Sequence, residues 1–473
     1  MKSYVARLFL CLFFVAPLAG QTNEKFGVTI DSAYNSMKPV FRSRLVKPGN
    51  AVTWYFRSII ETEEFSKDYR VSWDNWANLP LGSFPADEVH DALQGVEPVL
   101  SALHRGSRSI DCDWVVPDSA SIEYYPELSR LRIIATTINL SSAKAQFLRG
   151  DIEEAYNSVG VNFSLASHLA KGPTATHVLT GVYIANETIE LLFEFSQFAG
   201  AKNQYWEVAF FQKGFSSNVS LLEEEKRLVQ QLFPSLANVG EEPFGDTEFE
   251  ALEKRGEEIR SDFDADELAF PNWRHLSIEE IGAGRKKRLL ESGYSPEFID
   301  SLENAQLLLL DVTNRRSRYQ LECEAWLRLP LYSSLQNLEK THQNYYEAFV
   351  ELDALLTGGA LTRADCVADL PELLRRALQC EQKLAVLSNI ASLRHFVAKN
   401  EGLMPKNENV SFELPLVVDP STGKNFHIRP VTANSVRIKS QNQEERFSID
   451  CLVLFREKKE AETGTGPINE NDK

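Results

Sequence analysis

The chain contains few of the residues from which metal and nucleophilic sites are built, with six cysteines and eight histidines among 473 residues. No Cys-x-x-Cys or His-Glu-x-x-His spacing occurs, so zinc sites and zinc-protease chemistry have no support. A Gly-x-Ser-x-Gly nucleophile elbow and a phosphate-binding Gly-x-x-x-x-Gly-Lys-Ser/Thr loop are missing as well. The sequence therefore predicts no metal, no cofactor and no catalytic residue, and it favours a non-catalytic role.

Long hydrophobic runs are missing too, except near the N-terminus. Lys2 and Arg7 precede an unbroken apolar run at 8–15, and small residues with one proline follow at 16–20. This order is typical of a secretory signal peptide, whereas a membrane-spanning helix needs roughly 20 apolar residues. We expect residues 1–20 to be removed on export to the periplasm or the extracellular space, with no membrane span left in the mature chain.

Cysteine is too sparse for a disulfide-built scaffold. Loss of Cys11 with the signal peptide would leave five cysteines, an odd number that cannot pair completely within one chain. Cys366 and Cys380 form the candidate disulfide, because it would close a loop of about 15 residues and stabilise the fold by roughly 3 kcal/mol on the chain-entropy model. Buried free thiols are the alternative of equal weight.

The charge of the chain is strongly one-sided, with a formal net charge of −17. Such a protein repels nucleic acids and anionic lipid surfaces, which disfavours these partners but does not identify the one it has. An envelope or secreted protein is the expected partner, because the amphipathic helices described below carry no converging polar motif. The hydrophobic fraction of 43% and the charged fraction of 25% are ordinary for globular proteins. A chain of this length suggests two or three domains.

Apolar residues recur at helical spacing through most of the sequence. The first sizeable helix is expected at 50–61, followed by a loop-rich stretch that contains Trp73 and Trp76. Between 127 and 200 the pattern predicts three long helices, and the short connections between them make consecutive helices antiparallel neighbours. Further amphipathic helices are expected at three places in the second half of the chain: 299–328, 333–357 and 369–400.

The junction between the first two of the three long helices carries specific end signals. Gly150 suits a left-handed C-terminal cap, and Asp151 with Glu154 three residues later matches a capping box at the start of the next helix. Ser295 followed by Pro296 is likewise expected to begin a helix. These signals support the helical assignment at both places.

After Pro405 the pattern changes to short strands, expected at 414–418, 425–429, 435–438 and 448–455. Asp419 to Gly423 forms a turn between the first two strands, with glycine at the position that needs a positive φ angle. The expected fold class is thus mainly α, an antiparallel array of long helices in two halves with a small C-terminal antiparallel β element. The expected domains are a signal peptide (1–20), an N-terminal helical domain (21–240), an acidic linker or crossover (241–275), a second helical region (276–404), the small β element (405–456) and a disordered tail (457–473).

The most unusual local cluster is the run from Asp111 to Trp114. An aromatic ring beside two carboxylates, here Asp111 and Asp113, suits contact with a small polar ligand, and His168 is the fourth residue proposed for this site. The competing interpretation is structural: Trp114 packs onto the helices, and His168 and His177 interact with carbonyl groups at helix ends. If the first interpretation holds, the chain is a hydrolase or small-ligand binder with a site between the helical halves.

Several segments together resemble a group of uncharacterised exported proteins of planctomycete-type bacteria, in patches over about half the chain. The resemblance implies a helical exported protein with a small β appendage, and it implies no activity. The segments that carry the resemblance are Asn-Ala-Val-Thr-Trp-Tyr-Phe-Arg at 50–57, Cys-Asp-Trp at 112–114, Pro-Glu-Leu-Ser-Arg-Leu-Arg at 126–132, Gly-Asp at 150–151, Ala-Ser-His-Leu-Ala at 166–170 and Leu-Pro-Leu-Val-Val-Asp-Pro-Ser-Thr-Gly-Lys at 414–424.

Overall fold

The structure is a computed structural model of the chain. For residues 22–30 only the backbone is described. The described residues are 22–30, 47–114, 124–172, 175–198, 201, 203–205, 208, 230, 232–262, 284–329, 331–359, 370–400, 405, 412, 414–442 and 447–457.

Helices fill most of the described part of the chain from residue 51 to residue 196. Two short strands precede the first helix, and one six-residue π-helix lies between two α-helices. The elements are β1 (Thr22–Ile30), β2 (Lys47–Asn50), α1 (Ala51–Ala77), α2 (Ala86–Leu93), α3 (Glu97–Ser107), β3 (Ser109–Asp111), α4 (Tyr124–Ile133), the π-helix (Ile134–Asn139), α5 (Leu140–Leu148), α6 (Ile152–Ala170) and α7 (Ala175–Ser196).

The rest of the chain adds further helices and the remaining strands. Its elements are α8 (Asp246–Asp262), α9 (Gly284–Glu291), α10 (Pro296–Ser301), α11 (Asn304–Leu327), α12 (Leu331–Thr357), α13 (Leu370–Lys399), β4 (Val418–Asp419), β5 (Lys424–Asn425), β6 (His427–Thr432), β7 (Ser435–Lys439) and β8 (Ile449–Glu457). The mainly α fold with a small C-terminal antiparallel sheet is confirmed.

The contacts divide the chain into two compact units. The first contains residues 1–172, 176–216 and 376–473, and the second contains 173–175 and 217–375. Contact grouping does not establish which segments fold alone, so the domain boundaries expected from the sequence stay predictions.

Helix α1 is longer than the sequence predicted. Asn50 is its N-cap, with the side chain accepting a hydrogen bond of 3.1 Å from the Val52 N–H. The helix continues to Ala77 through the stretch expected to be loop-rich, because Trp73 and Trp76 lie on one helical face and are 5% and 7% exposed. Their rings meet edge-on at 5.1 Å. Burial of two large aromatic rings outweighs the weak local preference for a loop.

The expected end signals are only partly realised. Gly150 has φ +88°, which confirms the left-handed C-terminal cap. Asp151 precedes α6, but its side chain makes no cap hydrogen bond, so the predicted capping box is wrong. Ser295 does cap α10, because its side chain accepts a hydrogen bond of 3.2 Å from the Phe298 N–H.

The second unit is organised around the pairing of α11 with α12. Its apolar core includes Leu309 and Leu352, both nearly fully buried. A buried ionic network also holds this unit together. Asp311 is 1% exposed and contacts the guanidinium groups of Arg285, Arg288 and Arg315.

The sheet of the first unit has the order β1-β8-β7-β6. Strands β6, β7 and β8 are antiparallel neighbours, as the sequence predicted for this region. Strand β1 adds to the free side of β8 in parallel, over nine residue pairs from Thr22 opposite Ile449 to Ile30 opposite Glu457. No strand was expected from the sequence at this position.

The turn before β5 is fixed to helix α13 by polar contacts. The Asp419 carboxylate is fully buried and accepts hydrogen bonds from Ser421, Gln382 and Ser440. Gly423 has φ +67°, as the turn prediction required. Within the described residues, none of the helices is both long enough and apolar enough to span a bilayer.

Candidate functional site

Trp114 packs against the C-terminal end of α6. It is 5% exposed, and its indole N–H donates a hydrogen bond of 2.8 Å to the carbonyl oxygen of His168. This carbonyl oxygen also accepts a hydrogen bond of 3.3 Å from the Lys171 N–H, so the indole is its second donor. The Trp114 ring fills apolar space, and its hydrogen bond ties the segment after β3 to α6.

The ring of His168 joins α6 to α1. Its Nδ1 atom and the hydroxyl of Tyr55 are hydrogen-bonded at 2.6 Å. Burial lowers the pKa of His168 to about 4, and the positive charge of Lys171 acts in the same direction. The imidazole is consequently neutral at neutral pH, a form in which one ring nitrogen accepts a hydrogen bond and the other donates one.

His177 brings α7 into the same group of side chains. Its ring meets that of Trp114 edge-on, with 5.0 Å between centroids, and burial lowers its pKa to about 3. A Cβ atom on Gly172 would lie 2.5 Å from the Cβ and Cγ atoms of His177, so the chain approaches the ring more closely than another residue type allows. We call Tyr55, Trp114, His168 and His177 the tryptophan–histidine cluster.

The two carboxylates proposed with this site take a different position. Asp111 and Asp113 are both exposed. Asp113 contacts Asn50 through its backbone, not through its carboxylate. The Asn50 side chain accepts a hydrogen bond from the Asp113 N–H and donates one to the Asp113 carbonyl oxygen, each at 3.1 Å. Of the four residues predicted to bind a ligand, the structure thus brings together Trp114 and His168.

Cys112 lies beside the cluster as a half-buried thiol, 4.0 Å from the carbonyl oxygen of His168. Burial raises its pKa to about 12, which suppresses the nucleophilic thiolate. Cys380 is buried, and its thiol donates to the carbonyl oxygen of Val182 at 3.7 Å. Its predicted disulfide partner Cys366 lies outside the described residues, so that pairing stays a prediction.

A second group of chemically capable side chains lies where α13 meets α7. The Lys383 ammonium donates to the Asn186 side chain at 2.9 Å and pairs with the Glu190 carboxylate. Burial and the nearby charge of Glu190 raise the pKa of Glu187. Lys383, Glu187 and Glu190 are named the α7–α13 charged cluster below.

Glu381 lies on α13 two residues before Lys383, on a different side of the helix, and burial alone perturbs its carboxyl group. Burial raises its pKa to about 7, and its buried Oε1 atom accepts no hydrogen bond from the residues that the structure describes. A carboxyl group that is half-protonated near neutral pH can act as a general acid or base. Glu381 could therefore act as a general acid or base.

The charged cluster was not predicted from the sequence, although its residues carry a signal. Helix α7 is largely apolar, yet it carries Glu187, Glu190 and Glu194 at spacings of three and four residues, which places them along one side. The Lys144 ammonium approaches this side and donates to the carbonyl oxygens of Ala77 and Leu79, at 3.1 and 2.7 Å. Acids aligned on an apolar helix indicate buried ion pairing.

A metal centre is not formed in the described part of the chain, where no group of three or more His, Cys, Asp or Glu side chains could hold an ion. No family model, no curated protein and no solved structure matches the chain.

Proposed function

We propose that this chain is an exported, non-catalytic helical protein that binds a protein of the cell envelope or of the extracellular space. The observation that supports the proposal is that the polar groups of the tryptophan–histidine cluster are engaged in contacts between helices. Each of its polar groups described above joins one element of the first unit to another: Trp114 to α6, and His168 to α1. Residues engaged in this way support packing rather than turnover.

Export is supported by the order of residues at the N-terminus. A basic segment with Lys2 and Arg7, the apolar run at 8–15 and the small residues at 16–20 together match a signal peptide. The net charge of −17 supports a protein as the partner rather than a nucleic acid or an anionic membrane.

The test is capture of the partner from its own compartment. The tagged chain is expressed in its host, cross-linked in the intact envelope and purified, and co-purified proteins are quantified by mass spectrometry. We expect one exported protein in near-stoichiometric amount, recovered equally well with wild type and with Glu190→Gln. Absence of a stoichiometric partner, together with turnover of a small polar substrate that Glu190→Gln abolishes, would contradict the proposal.

The second candidate function is that of a hydrolase or a binder of a small polar ligand, and the α7–α13 charged cluster favours it. A carboxyl group with a raised pKa, that of Glu187, lies beside the Lys383–Glu190 ion pair, and acid–base catalysis uses arrangements of this kind. The site would use Glu187 as the proton donor and Lys383 to orient an anionic or hydroxylated ligand.

A ligand screen by thermal shift distinguishes the two functions. If the charged cluster is a binding site, a polar compound raises the melting temperature of wild type, and Glu187→Gln and Lys383→Met remove that shift. Glu88→Gln, which changes an exposed acid on α2, is the matched control and must keep it. A shift that survives both cluster substitutions excludes the charged cluster as the site.

A further inference from the structure

The two faces of the sheet differ in exposure. On one face Ile428, Ile438 and Cys451 stand in one row of the register across β6, β7 and β8, and each is at most 7% exposed. On the opposite face Arg429 and Arg437 stand opposite each other, and both are exposed. These strands therefore bury one face and present the other to solvent.

The exposed face brings positive charges together. Residues that are directly opposite in an antiparallel pair have Cβ atoms about 4.5–5.5 Å apart, so the like charges of Arg429 and Arg437 destabilise the sheet. Lys439 follows two residues after Arg437 and lies on the same face. This grouping stands out in a chain with 67 acidic and 50 basic residues. Choices that work against folding are expected where residues serve binding.

One carboxylate lies among these charges. Asp450 on β8 contacts the Nε atom of Arg437 at 3.3 Å and the ammonium group of Lys439 at 3.9 Å. The Arg437 and Lys439 side chains nevertheless remain 53% and 55% exposed. Both cations can therefore reach a second carboxylate that approaches from solvent.

Apolar side chains accompany the charges. Leu452 stands opposite Arg437, and Leu454 follows two residues later; both are half-buried. Arginine beside accessible apolar groups is typical of protein interfaces. Anionic lipid surfaces are bound by larger basic clusters, roughly four to eight residues, and the net charge of −17 opposes binding to lipids and to nucleic acids. The composition of this face thus favours a protein partner.

We propose that the surface formed by Arg429, Arg437, Lys439 and Leu452, which we call the basic face, binds an acidic segment of a partner protein. Charge complementarity identifies the segment, because a carboxylate between the two arginines relieves their repulsion and accepts the paired hydrogen bonds of a guanidinium group. An apolar residue beside that carboxylate would contact Leu452. The inference rests on the proposed function, since it names the surface on which the partner docks.

A labelled peptide of alternating glutamate and leucine is the probe, and fluorescence anisotropy measures its binding to the full chain. We expect binding that weakens with salt and that Arg429→Gln/Arg437→Gln reduces by about tenfold or more. The control is Lys287→Gln/Arg318→Gln, which removes two cations that are 79% and 76% exposed, and it should bind as wild type does. Equal binding by the arginine variant, or no binding by wild type, would overturn the proposal.

Two further measurements guard this result. The Arg429→Gln/Arg437→Gln chain should melt no lower than wild type by circular dichroism, because the substitutions remove a repulsion; a lower melting temperature would show that the arginines support the fold and would overturn the proposal. Phosphatidylglycerol vesicles are tested in the same way as the peptide. Tighter binding to the vesicles that the arginine variant abolishes would make the basic face a lipid-binding surface and reject the protein partner.

Capture of the partner in the intact envelope separates this inference from the proposed function. We expect the arginine variant to recover about tenfold less of the near-stoichiometric partner than wild type does. Equal recovery would overturn the basic face as the docking surface and leave the proposed function standing. Peptide binding that depends on the arginines, without any captured partner, would support the basic face and contradict the proposed function.

Discussion

His168 and His177 give the first unit a dependence of stability on pH that follows from their burial. Their pKa values are lowered from 6.5 to about 4 and about 3 in the folded chain. Between pH 6.5 and these values the unfolded chain binds more protons than the folded chain. Their contribution to stability is therefore complete above pH 6.5 and is lost as the pH falls toward 4 and 3.

The size of the effect follows from the same values. At pH 5 each ring is protonated in the unfolded chain and neutral in the folded chain, which removes about 2 kcal/mol per histidine and about 4 kcal/mol for the pair. Glu381 acts in the opposite sense, since its pKa in the folded chain, about 7, lies above the usual 4.5 of a glutamate side chain. The histidine effect must therefore be measured as a difference between variants.

The assay compares wild type, His168→Gln and His177→Gln at pH 8 and at pH 5. Urea denaturation is monitored by circular dichroism and gives the free energy of unfolding of each protein. Each variant is expected to lose less stability between the two pH values than wild type does, by about 2 kcal/mol. His90→Gln, on the partly exposed side of α2, is the control for changes that any histidine substitution causes. If both variants keep the pH dependence of wild type, the assignment of neutral, buried rings is refuted.

Two further substitutions test packing in each unit. Asp311→Asn removes the carboxylate that three partly exposed guanidinium groups contact, and Arg285 and Arg315 keep Glu351 as a partner, so the second unit should lose about 1–3 kcal/mol in urea denaturation. Asp300→Asn, which breaks an exposed pair with Lys286, should cost about 1 kcal/mol or less. Equal losses would contradict the role of the buried network. Gly172→Ala should lower stability by about 1–3 kcal/mol because its Cβ would collide with His177, while Gly95→Ala, with no atom within 4 Å of the added Cβ, should not. If Gly172→Ala leaves stability unchanged, the contact between Gly172 and His177 is not as tight as described.

Periodicity and turn chemistry predicted much of the fold. The stripes of apolar residues placed α12 and α13 within two residues of their observed ends, because a helix that packs on a core must repeat its apolar positions every three or four residues. The helix expected at 299–328 is interrupted after Ser301, and α11 begins at Asn304. The turn from Asp419 to Gly423 was also predicted, because its backbone angles restrict which residue types fit at each position.

Other features depend on contacts that no local pattern records. The parallel pairing of β1 with β8 brings together segments from opposite ends of the sequence. The π-helix at 134–139 lies within an unbroken apolar stripe, where one extra residue per turn leaves no distinct signature. Long-range pairing and small changes of helical pitch therefore had to be read from the structure.

The candidate site likewise was predicted from the sequence only in part. The sequence drew attention to Trp114 and His168, which the structure places together, but their spacing in the chain did not indicate that Tyr55 would complete the group. Glu381 was missed because its perturbed pKa comes from burial, which depends on what packs over the helix.

The account rests on the claim that the tryptophan–histidine cluster is a closed joint between helices. Nitrogen-15 NMR of the histidine rings from pH 8 to pH 4 tests this claim most directly. We predict that His177 stays largely neutral throughout, that His168 reaches half-protonation only near pH 4, and that the Nδ1 of His168 shows the shift of a hydrogen-bonded nitrogen. Titration of both rings near pH 6.5 would show an open, solvated cluster and would contradict the account.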